Sequence, residues 1–167
     1  MKAIFERRSI RKYQDKEIPD TVIRDLLRAG MCAPSAANER PWHFIVIRDR
    51  NILNSIADVH PYAQMVKEAP LVIAVSADHL LAIAERYLHQ DCAAATENIL
   101  IEAQDQGLGG VWLGVHPDDE RKRALGNLLN IPENVEIFSL ISLGYPAEVK
   151  EAVDRYDETR VHWEGRW

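Results

Sequence analysis

Apolar positions recur along this chain with two periods, and the switches between them mark out the elements. Val22, Ile23, Leu26, Leu27 and Met31 fall at helical spacing. They predict a helix from about Thr21, opened by Pro19 and Asp20 and stopped before Pro34. Behind Pro41, the β-branched and aromatic run Phe44-Ile45-Val46-Ile47 predicts a strand over 43–48. A short helix is expected over 50–59 and a helical turn near 63–68. The segment 71–77 is apolar on both faces, as a central strand is. The longest helix is expected from Leu80 or Arg86 to Gln106, with Leu88, Cys92, Ala95, Ile99 and Ala103 in one stripe. Gly107 and Gly109 end it ahead of a third strand, 110–115. Pro117, Asp118 and Asp119 open a further helix ending near 129–130, and a fourth strand covers 135–143 before Gly144 and Pro146. Residues 3–8 read as a short helical turn. The tail, 155–167, has no period yet holds Trp163 and Trp167, so it is expected to dock on this subunit or on a partner.

Composition adds limits to this picture. With 167 residues, 47% hydrophobic and 28% charged, the chain reads as one domain, 1–167, able to bury its own core. No apolar run approaches the ~20 residues of a membrane span, and the charged start is unlike a signal peptide, so a soluble cytoplasmic protein is expected. Cys32 and Cys92 lack metal-ligand spacing and read as reduced thiols. The net charge of −6 argues against a nucleic-acid partner. Against that acidic balance, residues 1–12 carry Lys2, Arg7, Arg8, Arg11 and Lys12 with only Glu6, a local charge of +4. A basic focus of this size suits one compact anion.

Three segments carry candidate chemistry. Arg7-Arg8-Ser9-Ile10-Arg11 offers guanidinium forks and a hydroxyl of the kind that grip phosphate, although a solvated charged face uses the same residues. Ala33-Pro34-Ser35-Ala36-Ala37-Asn38-Glu39-Arg40-Pro41-Trp42 is a loop frozen by two prolines, fit either for a ligand or for a plain turn. Gly107-Leu108-Gly109-Gly110-Val111-Trp112-Leu113-Gly114 bares main chain along a short strand, as a flat ring requires; a helix cap with a bulge would look alike. It is neither a dinucleotide fingerprint nor a Walker loop, and the chain has no Gly-x-Ser-x-Gly elbow. The six histidines show no zinc-type pairing, so no metal site is expected.

In this order, and with Ser-Leu-Gly-Tyr-Pro after them, the segments resemble the nitroreductase family of FMN-dependent oxidoreductases along essentially the whole chain. The resemblance implies an α+β fold, a central, mainly antiparallel sheet flanked by helices in an intertwined homodimer, with a fifth strand from the tail. It implies FMN at the subunit interface. Arg7, Ser9 and Arg11, with Arg8 close by, would hold its phosphate and ribityl chain, and Arg155 would reach the phosphate late in the chain. Pro34, Ser35, Ala36 and Asn38 would face the flavin from the other subunit, and Trp112, Leu113 and Gly114 would line its ring. Gln64 lies in a variable contact region, and Arg40 stands where glutamine is common. The implied reaction passes hydride from NADH or NADPH through the flavin to small flat acceptors such as nitroaromatics or quinones, with no side chain acting as nucleophile. A flavoprotein specialised for one metabolite, or a non-catalytic FMN-binding module, would share these motifs.

Overall fold

A computed structural model describes residues 2–167. Its centre is a four-stranded antiparallel sheet of β1 (Trp42–Ile47), β2 (Leu71–Asp78), β3 (Gly109–Gly114) and β4 (Val135–Gly144), in the order β1-β2-β4-β3. The helices are α1 (Ala3–Glu6), α2 (Asp20–Met31), α3 (Arg50–Val59), α4 (Leu88–Asp105) and α5 (Asp119–Leu128). Every position of β2 is buried, as its two-faced apolar pattern demands. Ile73, Val75 and Ala77 point to one side, where α2 and α4 pack with Ile23, Leu26, Cys92, Ala95 and Ile99. Val72 and Ala74 point to the other, into a second core with Leu53 and Ile56 of α3 and Leu125 of α5. Deep burial pushes the Cys92 thiol up to about 12, so it is an inert part of the first core. Among the described residues, no helix is long and apolar enough to cross a membrane.

Two boundaries differ from the sequence expectation, each for a local reason. The helical turn at the start ends at Glu6, because Arg7 adopts an extended conformation (φ −57°, ψ 128°). The long helix does not begin at Leu80 or Arg86. The Asp78 carboxylate accepts from the Leu80 amide (2.9 Å), and Glu39 accepts from Ile83 and Ala84 (2.7 and 2.8 Å). These bonds hold 79–84 in turns, so regular helix starts at Leu88. Nor does the tail form a fifth strand within its own chain: among the described residues the sheet has four, and the outer edge of β1 is left without a neighbour.

The arginine-bearing segment is tied to β3. The Ile10 amide donates to the Gly110 carbonyl (3.0 Å), making a short parallel bridge at Ser9 and Gly110. Tyr13 inserts beneath it, its hydroxyl donating to the Ile10 and Ser142 carbonyls (2.8 and 3.2 Å), and burial pushes its pKa up to about 12. The chain leaving β4 closes the other side: the Gln14 amide donates to Tyr145 and the Ala147 amide to Lys12 (2.8 and 2.9 Å). This docking is possible because Gly109 has no side chain. A Cβ there would lie 2.7 Å from the Cβ of Ile10. Gly109→Ala is therefore expected to destabilise the protein by about 1–3 kcal/mol, the usual cost of overpacking. Urea unfolding should show a lower midpoint with an unchanged slope.

Candidate functional site

The first half of the site is the basic segment and the strand it lies against. In an antiparallel pair the main-chain groups alternate between facing the partner strand and facing away. Gly110 turns its carbonyl away from β4, toward Ile10, so Trp112 and Gly114 turn theirs away too. The Gly114 carbonyl accordingly accepts from His60 Nε2 (2.9 Å) and Arg121 Nη1 (3.2 Å). Between the Ile10 bridge and the Gly114 carbonyl, the outward main chain of Trp112 has no hydrogen-bond partner among the described residues. The result is a groove of about 400 Å³ lined by Arg11, His60, Tyr62, Trp112, Leu113, Gly114 and Arg121. A Cβ on Gly114 would touch nothing within 4 Å, so space as well as bare main chain is available there.

The predicted arginines divide by partner. Arg7 is committed to Glu97 on α4 (3.1 Å), and Arg8 donates to the Glu151 carbonyl, ahead of the tail. The Ser9 carbonyl accepts from Lys150 (2.7 Å). Arg11 is held only by its backbone, whose amide donates to Glu148 (2.6 Å) and draws that carboxyl below its usual range. Its exposed guanidinium has no ion-pair partner among the described residues. Arg155 lies with Arg7, Arg8, Phe5 and Tyr156 along a separate groove of about 630 Å³ between α1 and the tail. Thus Arg11 meets Trp112, Leu113 and Gly114, and Arg155 meets Arg7 and Arg8, in two distinct places.

The loop with Pro34, Ser35, Ala36 and Asn38 belongs to neither groove. Its Ala36 amide donates to Asp91 in the first turn of α4 (3.1 Å), and Ser35 Oγ accepts from the Arg40 amide (2.9 Å). Burial, with Glu39 nearby, raises the Asp91 carboxyl above its usual range. Ala37, Asn38 and Arg40 have φ of 49°, 54° and 48°, left-handed positions on either side of a right-handed Glu39, and the left-handed region costs non-glycine residues about 1 kcal/mol or more each. Strain of this kind persists where a loop is shaped for contact. Yet the loop docks at the start of α4, while Ile10 docks beside Gly109, just past its end. An 18-residue helix, about 27 Å, separates these points.

Sequence reasoning missed His60, Tyr62 and Arg121, which reach the groove only through tertiary packing. Gln64 turns out to cap α3, donating to the Ala57 carbonyl (2.8 Å), and is not among the residues that line either groove. His60 also accepts from the Tyr62 amide at Nδ1 (3.3 Å), so the network assigns it the neutral form with its proton on Nε2. Burial, reinforced by Arg121, holds its pKa below 6.5. The unfolded chain therefore takes up this proton first as pH falls below 6.5, and stability should decline with acidification in that window. His60→Gln is expected to flatten, though not abolish, the decline in chemical denaturation between pH 7 and 5, since His116 is depressed as well.

Comparison with known proteins bears on this geometry. The family model for the nitroreductase family matches residues 4–60 and 57–145. A relative from Methanothermobacter thermautotrophicus, provisionally named an NADH dehydrogenase/NAD(P)H nitroreductase, is 50% identical over all of this chain and 87% of its own length. Among solved structures, a provisionally named NADH oxidase from Clostridium acetobutylicum has a TM-score of 0.95 and 42% identity, covering 98% of this chain and 99% of that one. An FMN-dependent nitroreductase from Clostridium difficile has a TM-score of 0.91 and 30% identity, covering 98% of both. With its sheet, its grooves and these likenesses taken together, this chain belongs to the nitroreductase family.

Proposed function

We propose that residues 1–167 form one FMN-binding oxidoreductase domain that takes electrons from NADH or NADPH and passes them to a small flat acceptor such as a nitroaromatic or a quinone. The observation that carries this reading is the pairing of the unshielded β3 edge with the unpaired Arg11 guanidinium in one groove. The residues present fit FMN. The vacant side of Gly114 gives a ring room to approach, the outward amides of Trp112 and Gly114 can donate to its polar rim, and Arg11 supplies charge for its phosphate. Bound there, FMN would supply the hydride chemistry that no side chain of the groove can.

The protein's own part is positioning. Trp112 is braced edge-on against Phe138 (ring centroids 5.8 Å apart), which keeps the floor of the groove rigid. His60 and Arg121 clamp the end of β3 through Gly114, so its amides hold one direction. Amides fixed in advance stabilise negative charge that develops beside them. Arg7 is a support for this arrangement more than a ligand, since Glu97 already neutralises it. Free thiols at Cys32 and Cys92 suit a reducing compartment such as the cytoplasm.

The separation of the Pro34–Asn38 loop from the groove is accounted for by a homodimer. A second copy would bring Pro34, Ser35, Ala36 and Asn38 to this groove, and the 155–167 extension would reach the partner. Trp163 and Trp167 stand 70% and 101% exposed, a poor use of tryptophan unless another surface covers them.

The purified protein is expected to be yellow and dimeric and to lose its colour on anaerobic addition of NADH or NADPH. A colourless preparation that gains no flavin band with added FMN refutes the reading. Arg11→Ala should weaken FMN binding about 10- to 100-fold, the worth of one charge-assisted contact, in a fluorescence titration. Removing the residues after Arg160 should lower dimer affinity and flavin retention together, as sedimentation and bound-flavin content would show.

A further inference from the structure

A second cluster lies outside the groove and plays no part in the chemistry proposed for it. His89 stands in the first turn of α4, His116 two residues past the end of β3, and Glu136 near the start of β4. Each offers one donor atom, and the three atoms lie within 4.8 Å of one another. His89 Nε2 contacts Glu136 Oε1, and His116 Nδ1 lies 3.7 Å from the same oxygen. The two imidazoles are stacked, with centroids 3.5 Å apart, and both lie 6.0 Å from the Phe138 ring.

We propose that His89, His116 and Glu136 bind a divalent transition-metal ion of the zinc class, with two imidazole nitrogens and one carboxylate oxygen as ligands. Three observations carry this. First, His116 Nδ1 is buried and has no hydrogen-bond partner among the described residues, an expense that a native site usually explains by a bound water or ion. Second, the carboxylate is already aimed: Glu136 Oε2 accepts from Lys122 (2.8 Å), which itself pairs with Asp119 (2.9 Å), leaving Oε1 to the histidines. Outer partners of this kind orient metal ligands. Third, the donor set has the right softness, because two imidazoles with one carboxylate favour zinc, nickel, copper or iron over magnesium and calcium.

Binding requires local rotation of the side chains. Zinc bonds of about 2.0–2.2 Å place tetrahedral donors roughly 3.3 Å apart, and an ion lies in the plane of each imidazole it binds, so the two stacked rings must swing out of their stack as their nitrogens close on the ion and Glu136 moves back from His89. The side chains are 35%, 26% and 18% exposed, which leaves an entry path and room for water in the fourth position. Spacing along the chain conceals the site, since its ligands come from three separate elements.

The test uses untagged, flavin-loaded, full-length protein, stripped with a chelator and titrated with zinc chloride in a calorimeter. One zinc per chain is expected, with affinity lowered at least 10-fold in His89→Gln and in His116→Gln while bound flavin is retained. Zinc K-edge absorption of the unaltered protein should show two imidazoles and oxygen in the first sphere, a readout that stands even if a variant fails to fold. No saturable binding, equal affinity in all three proteins, or a first sphere without imidazole would each overturn the proposal.

Discussion

Everything distinctive about this chain depends on how closely residues 9–14 approach the edge of β3. The contact is small: one bond from Ile10 to Gly110, and the side chain of Ile10 laid over Gly109. It covers the first half of an edge strand and leaves the outward main chain of Trp112 open, with the Gly114 carbonyl beyond it held by His60 and Arg121. A fully covered edge would present no free amides, and a fully bare one would invite pairing with any extended chain. Half cover produces a groove with main chain on one wall and Arg11 on another. Tyr13 makes the arrangement firm, because its hydroxyl joins the carbonyl of Ile10 to that of Ser142 in β4. The segment that holds the charge is thus anchored to the centre of the sheet and not only to its margin.

The regular elements were legible where burial alone decides structure. Leu71 to Ala77 reads as central because it is apolar on both faces, and β2 does lie between β1 and β4. The stripe of Leu88, Cys92, Ala95, Ile99 and Ala103 reads as a core helix and is one. Legibility failed where side chains reach across the fold. Residues 80–87 have helical composition, but carboxylates from Asp78 and Glu39 capture their amides first. No local pattern announces that Glu39 will be within reach of Ile83.

The candidate site divides in the same way. Arg11 and the stretch from Trp112 to Gly114 were visible because charge and glycine content are local properties, and the fold brings them together. Arg7 was equally visible, and its pairing with Glu97 was not. His60, Arg121 and the grouping of His89, His116 and Glu136 depend on which helix ends meet which strand ends. Single histidines in a sequence carry no sign of those meetings.

Several apolar surfaces of the chain are left open, and the proposed homodimer is a way to cover them. Among the described residues the outer edge of β1 has no neighbour, and Val46 on that strand is exposed. Leu80 and Ile83 stand 79% and 81% exposed beside the strained loop, Val149 and Val153 are exposed on the stretch before the tail, and the tail carries two tryptophans into solvent. Burying a large apolar side chain is worth about 1.5–3 kcal/mol, so exposure on this scale forgoes stability comparable to a whole domain's margin. The proposed homodimer would recover it if each tail met the other chain's open surface under a two-fold axis. The same rotation would bring each strained loop beside the other chain's groove. Strain in Ala37, Asn38 and Arg40 has no use within one chain, where Asp91 and Glu39 hold the loop away from β3. It has a use if the shape is made for the neighbour.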